Sequence, residues 1–447
     1  MRPGDVLFPA HPYPLRRSPA LPLLVAADRP CEERREMMTP SASNKQKQPF
    51  ALVIGLDHVN GIQTARILAD RGVAVIGVAK DPEHYCCRTR VCSRIVFTDT
   101  TSDALIDSLE TLGPELGEKG VLFPCLDPQV LLVSRNRQRL EPWYHIILPD
   151  PDVVEMLMDK TSFYRYAQLN GFPIPRTLFI ASSDDAEKAA RELTFPCMIK
   201  PPLSGTPQWE QKSKLKAYLV STPEEFLEVY RRYAALSDIL IAQEWVVGPV
   251  SSLYSCNCYF DAASRPVVTF IARKLRQWPP QTGESCLGEE CRNDQVLGET
   301  IRLFSAVNYR GLGYVEMKRD ERTGRHYIIE PNVGRPTGRS PIAEAGGVEL
   351  VYTMYCDAIG RPLPVQREQH YGNVKWIYLR RDLQSALYHW RRGELTFSDW
   401  LRSLRGRKVD ALFAWNDPGP FIGDLTRSVR LYLNRDERRK RDYSTPF

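Results

Sequence analysis

Glu316, Glu330 and Asn332 are the residues whose chemistry is most open to derivation, because they lie on two strand-like runs, Gly313-Tyr-Val-Glu316-Met-Lys and His326-Tyr-Ile-Ile-Glu330-Pro-Asn332. Thr323-Gly324 falls where a tight hairpin turns, and with residue 323 at its centre Glu316 and Glu330, each seven residues away, stand opposite one another. Side chains alternate along a strand, so Asn332 shares a face with Glu330. Two carboxylates set directly opposite repel, and the arrangement persists most easily with a cation between them. The ligands are all oxygens. Such a set suits a hard ion such as magnesium, with manganese as a substitute, that keeps waters and nucleotide phosphates in its other positions. The competing reading is an exposed hairpin whose acids pair with Lys318, Arg319 or Arg325.

Upstream cations give such an ion anionic company. Thr194-Phe-Pro-Cys-Met-Ile-Lys200-Pro-Pro reads as a strand that delivers a lysine to its end, and Lys160 opens a helix that Asn170-Gly-Phe-Pro-Ile-Pro175 stops. Leu203-Ser204-Gly205-Thr-Pro-Gln-Trp209, followed by Lys212, Lys214 and Lys216, has the composition of a loop whose amides and lysines close over phosphates. Ile239-Leu-Ile-Ala-Gln243-Glu244-Trp245-Val246-Val-Gly248 is a strand running into an acid and a glycine turn. In Arg273-Lys274-Leu-Arg276-Gln277, strand alternation sends Lys274 and Arg276 to one face, where both meet one anion.

A chain of 447 residues, 43% hydrophobic and 26% charged, is long enough for two or three domains around substantial cores. Residues 1–48 are rich in Pro, Arg and Ser without periodicity and are expected to be a disordered leader. Order begins at Phe50-Ala-Leu-Val-Ile-Gly55, followed by a helix near 60–71 and a second strand, Val73-Ala-Val-Ile-Gly-Val78. The intervening turn Gly55-Leu-Asp-His-Val-Asn-Gly61 lacks the G-x-G-x-x-G pattern, so it reads as a structural turn, with substrate able to lie near it at the strand ends. Further strands at Val121–Cys125 and His145–Leu148 close this first α/β region near Asp150. From about residue 361, helices are expected at Leu383–Arg391 and Phe397–Leu404, buried against the body with no activity of their own.

Composition removes several function classes. Sixty basic against 54 acidic residues leave +6, too thin a surplus for nucleic acid. The 11 cysteines form no pair of C-x-x-C units, which weakens zinc and redox readings and fits a reducing, cytoplasmic setting. No run approaches the roughly 20 apolar residues that span a bilayer, so no membrane partner is expected. The seven histidines are scattered, and no Ser-His-Asp set is visible.

In order along the chain, Asp159-Lys160, Ile199-Lys200-Pro201, Gln243-Glu244-Trp245-Val246, Arg273-Lys274-Leu-Arg276-Gln277, Glu316 and Glu330-Pro-Asn332 resemble the ATP-grasp ligases, specifically the carboxylate–amine ligase branch that includes D-aspartate ligases. The likeness extends from about residue 50 to the tail segments Lys375–Asp382 and Trp400–Gly406. It implies an α/β and α+β architecture. A Rossmann-like pre-ATP-grasp domain (49–150) would precede a two-lobed ATP-grasp domain (151–360) and a mainly helical C-terminal extension (361–447) ending in a basic tail.

The resemblance also implies roles. Backbone groups at Glu244 to Val246 would hold adenine next to Gln243, Lys160 and Lys200 would reach the phosphates under the Ser204-Gly205 loop, and Glu316, Glu330 and Asn332 would hold magnesium. The implied reaction passes the terminal phosphoryl group of ATP to a carboxylate, and an amine attacks the acyl phosphate to give an amide. Lys274 and Arg276 are assigned to the transferred phosphoryl group or the tetrahedral intermediate, and Arg339, with Arg335 second, to a substrate carboxylate. Partners would then be a small carboxylate and an amine, an amino acid among them, with a homodimer as the one assembly considered.

Two departures stand out. Where an acid commonly meets the ribose, Gly248-Pro-Val-Ser251-Ser252 offers hydroxyls, and Val333-Gly-Arg-Pro replaces the more usual Pro-Arg with an aromatic after the metal ligands. The alternatives carried forward are an acyl-phosphate or carbamoyl-phosphate reaction with a different acceptor, a nucleotide-binding regulator without turnover, and, more distantly, a Rossmann oxidoreductase.

Overall fold

The computed structural model describes residues 48–202, 217–280 and 283–433. Three sheets organise them, all within one compact unit. The first is five-stranded and parallel, in the order β3-β2-β1-β4-β5: β1 (Ala51–Ile54), β2 (Val75–Ala79), β3 (Cys92–Phe97), β4 (Gly120–Pro124) and β5 (Tyr144–His145). Its central strand, Ala-Leu-Val-Ile, is buried throughout, as a parallel strand covered on both faces requires. The helix Val59–Asp70 follows it, capped by the His58 imidazole, which accepts from the Asn60 amide.

The second sheet is antiparallel, in the order β6-β9-β7-β8: β6 (Thr177–Ile180), β7 (Cys197–Lys200), β8 (Tyr218–Val220) and β9 (Leu240–Glu244). It keeps its own small core, in which Ile180, Ile199 and Val220 pack on Ala186, Ala189, Phe226 and Tyr230 of the helices Ser183–Glu192 and Pro223–Tyr233.

The third sheet has seven strands, ordered β14-β13-β10-β11-β12-β15-β16: β10 (Leu253–Phe260), β11 (Pro266–Trp278), β12 (Glu284–Glu290), β13 (Gly311–Arg319), β14 (His326–Val333), β15 (Lys375–Ile377) and β16 (Lys408–Asp410). Val315, Met317, Ile328 and Val333 of β13 and β14 share one hydrophobic core with Leu52, Ile54 and Leu122 of the first sheet, so the acid-bearing hairpin is seated on a rigid base.

The end of the described chain extends the large sheet as well as adding helices. Beyond β15 run the helices Leu379–Arg391 and Phe397–Ser403, then β16 and the helix Gly419–Leu433. Buried Arg66 ties this region to the first helix through Asp417 at 2.9 Å. Among the described residues no helix is long and apolar enough to cross a membrane. Every described cysteine is a free thiol, and burial pushes Cys125, Cys256 and Cys286 up to about 12, so they stay protonated and act as small apolar fillers.

Candidate active site

β13 and β14 bring Glu316 opposite Glu330 and Tyr314 opposite Asn332. The turn falls half a residue from its expected centre, with Arg319 paired to His326, and a bulge between Glu316 and Met317 restores the expected register at the two acids. Glu316, Glu330 and Asn332 line one cleft of about 960 Å³ together with Lys160, Lys200, Gln243, Lys274 and Arg339.

Glu316 is the electrostatic centre of this wall. Lys274 Nζ lies 3.4 Å and Arg339 Nη2 3.5 Å from its Oε1. Burial works against its ionisation most strongly, yet Lys274 and Arg339 outweigh that and hold the carboxyl below its ordinary value. Glu330, half-buried, has no ion pair or hydrogen bond among the described residues, so its carboxylate is open to the cleft. Asn332 Oδ1 accepts from Arg335 Nη2 at 2.6 Å, which leaves a second lone pair, while its Nδ2 is buried without a partner.

Two carboxylates and an amide oxygen on facing strands are the donor chemistry of a hard divalent cation. Among the described residues no group of three or more His, Cys, Asp and Glu side chains has metal-binding geometry.

Lys200 comes from the end of β7. Its ammonium donates to Gln243 Oε1 at 2.9 Å and Tyr164 Oη at 3.0 Å. Gln243 is itself fixed by Thr177, and Tyr164 by the Ile329 carbonyl, so the lysine is aimed by a buried network. Lys160 begins the helix Lys160–Leu169, whose cap Asp159 accepts from the Ser162 amide. Glu244, Trp245 and Val246 line the cleft where β9 ends. Glu244 turns its carboxylate to the Thr194 amide, and the Trp245 amide donates to the Pro196 carbonyl. Ser251 sits in a half-buried turn behind Pro249 and Val250, which line the cleft where it does not. Asp320 and Glu321 come up beside the same turn instead, each hydrogen-bonded to Val247. Ser204 and Gly205 lie outside the described residues.

Arg276 does not share a face with Lys274. Register shifts on either side of Arg276 break the alternation of β11, so Lys274 and Gln277 reach the cleft and Arg276 points behind it. There Arg276 makes a two-pronged pair with fully buried Asp382, at 2.8 and 3.0 Å, and donates to Ser403. Its charge holds the C-terminal helices to the sheet, and its assignment to a transferred phosphoryl group is corrected accordingly. Arg335 is likewise committed, to Asp127, Tyr314 and Asn332, which leaves Arg339 as the arginine with an unpaired nitrogen at this wall.

The cleft also includes residues beyond the predicted site set. His58 and Asn60, at the start of the helix after β1, belong to the turn segment beside which substrate is expected to lie, Asp127 opens the helix after β4, and Tyr388, His389, Arg392 and Glu394 come from the helix Leu379–Arg391 and its end. Burial keeps the His58 imidazole below its ordinary value, with Glu284 opposing the shift and Arg381 and Arg335 adding to it. No pattern in the sequence marks the C-terminal group, because its members converge only through the sheet extension at β15.

No family model matches the chain. It is 26% identical over 234 residues to D-aspartate ligase of Enterococcus faecium, covering 50% of this chain and 54% of that protein. To D-alanine–D-alanine ligase of Pseudomonas putida it is 23% identical over 190 residues, covering 40% and 54%. The chain thus matches about half the length of these curated relatives. Among solved structures, the biotin carboxylase domain dimer of Hydrogenobacter thermophilus 2-oxoglutarate carboxylase, in complex with magnesium ADP and bicarbonate, superposes with a TM-score of 0.55 at 15% identity, covering 72% of each chain. That likeness establishes the fold.

Proposed function

We infer that this relative of the ATP-grasp carboxylate–amine ligases joins a carboxylate to an amine, using ATP and releasing ADP and phosphate. One observation carries the reading: Glu316 and Glu330 are paired in register, with Asn332, on the wall of a cleft that also receives Lys200 and Lys274. The similarity to D-aspartate and D-alanine–D-alanine ligases supports amide formation over other uses of a nucleotide cleft. On this reading residues 49–150 are the pre-ATP-grasp domain, 151–360 the two-lobed ATP-grasp domain and 361–447 an extension that completes the cleft.

Phosphoryl transfer needs charge neutralisation and in-line placement more than covalent help. Lys200, pre-aimed by Gln243 and Tyr164, and Lys160 neutralise the nucleotide phosphates from the small-sheet side. The end of β9 at Glu244 to Val246 receives the adenine. Glu316, Glu330 and Asn332 would hold magnesium, which would supply positive charge to offset that of the nucleotide phosphates. Lys274 lies against Glu316 and meets the phosphoryl group as it moves to the substrate carboxylate, which Arg339 orients. Amine attack on the acyl phosphate then forms the amide and expels phosphate. The site asks for no protein nucleophile.

The test is a screen for ADP release over pairs of amino acids and carboxylic acids with magnesium ATP. The reading expects ADP and amide in equal amounts with at least one pair. ADP or phosphate formed at the same rate without an amine would favour a different acceptor, and no ADP with any pair would remove the ligase reading.

A further inference from the structure

We propose that Gln277 and Arg339 form a two-point clamp for a substrate carboxylate, which makes Gln277 a specificity-determining residue; this rests on the ligase reading of the same cleft. Gln277 is 3% and Arg339 6% exposed, and both line the cleft. Gln277 Nε2 and Arg339 Nη1 are buried N–H groups without an acceptor among the described residues. An unsatisfied buried donor costs about 1–3 kcal/mol, so two of them on one functional wall point to an acceptor that arrives with the ligand.

The two residues come from distant segments, yet the sheet brings them together. Gln277 pairs in register with Ser285 on β12, and Lys274 with Gly288. A Cβ at Gly288 would lie 3.6 Å from Ser285 Oγ and 3.7 Å from Arg339 Cδ, so the Arg339 side chain passes Gly288 within a few ångströms of the residue that pairs with Gln277. Arg339 Nη2 donates to Ser255 at 3.3 Å and meets Glu316 at 3.5 Å. Those contacts orient the guanidinium and leave Nη1 as its free prong.

Two N–H donors lining the same cleft match the two oxygens of a planar carboxylate. One donor is neutral, and that has a consequence. A second guanidinium here would compete with Lys274 and Arg339 for Glu316, whereas an amide donates to the substrate and leaves the acid available for a cation. The irregular strand that removes Arg276 from the cleft is therefore what installs the amide.

The experiment uses the full chain, Gln277→Met, which removes the donor at similar size, and Gln277→Glu, which replaces it with a like charge. Thermal unfolding is followed with magnesium ATP alone and with added D- or L-aspartate, D- or L-alanine, or succinate. The proposal expects at least one acid to raise the wild-type Tm, a smaller rise in Gln277→Met and none in Gln277→Glu, with the magnesium ATP shift equal in all three. With turnover, the KM for that acid rises by about tenfold or more in Gln277→Glu, while the KM for ATP stays within about twofold. Equal acid-dependent shifts in the three proteins, or no shift of the wild type with any acid, would overturn the clamp. The ligase reading fails separately, if the wild type binds an acid but releases no ADP.

Discussion

Two strands of the large sheet, β13 and β11, each carry charged residues at alternating positions, and each contains a bulge, yet the outcomes are opposite. In β13 the irregularity lies between Glu316 and the turn, so it absorbs a half-residue displacement of the turn and leaves both acids facing one another. In β11 the irregularities lie between the charged residues themselves, so Lys274 stays on the cleft and Arg276 is turned into the fold. Alternation is a local rule, and a bulge resets it from that point onward. The acidic face survives because its reset happens outside the stretch that carries Glu316 and Glu330.

Substitutions on the two strands should separate their roles. The largest effect is expected on β14: Glu330→Gln keeps the shape but removes a negative charge, and should lower magnesium-dependent ADP release by about a thousandfold or more with an unchanged circular dichroism spectrum. Turnover close to wild type would remove the metal role of that face. Next comes the contrast within β11. Lys274→Met should cut kcat by about a hundredfold or more with unfolding midpoints near wild type. Arg276→Met should do the reverse, destabilising by about 3–5 kcal/mol in urea unfolding because Asp382 is left buried and unpaired. If the two exchanged behaviours, the register of β11 described above would be wrong.

A smaller effect is expected from Arg339→Ala, which should raise the KM for the carboxylate by about tenfold and leave the KM for ATP nearly unchanged. A selective loss of ATP affinity would move this residue to the nucleotide.

The smallest effect lies away from both strands. Glu344 shares Arg71 with Glu349, at 2.8 and 3.1 Å, and burial raises its carboxyl to about 8 despite the arginine. The folded chain then holds this proton more tightly than the unfolded chain between the ordinary carboxyl range and about pH 8, so stability falls as pH rises through that window. Glu344→Gln should flatten the dependence, by up to about 1 kcal/mol per pH unit, with no change in ADP release.

Much of the site was legible because its signals are local. Hydrophobic runs gave β1, β2 and β7, and the glycine-containing turn after Arg319 gave the hairpin and its acids. Lys200 was legible as a lysine ending a strand, though not the Tyr164–Gln243 pair that aims it, since these residues meet only in the folded sheet. Arg276 and Gln277 exchanged faces for a reason that no residue type announces: backbone irregularities within β11. Asp320 and Glu321, just past the end of β13, reach Val247 in the turn near Ser251 through a contact that no spacing in the sequence announces. The cleft contribution of Tyr388, His389 and Arg392 was hidden for a similar reason, because it depends on β15 adding to the edge of β12.

The account stands or falls on whether Glu316, Glu330 and Asn332 hold a nucleotide-bound cation. Manganese, which occupies hard oxygen sites and is visible by electron paramagnetic resonance, can be titrated into the protein with a non-hydrolysable ATP analogue. One bound manganese per chain that requires the nucleotide, lost in Glu330→Gln, is the predicted result. Equal binding in wild type and variant, or none in the wild type, would contradict it.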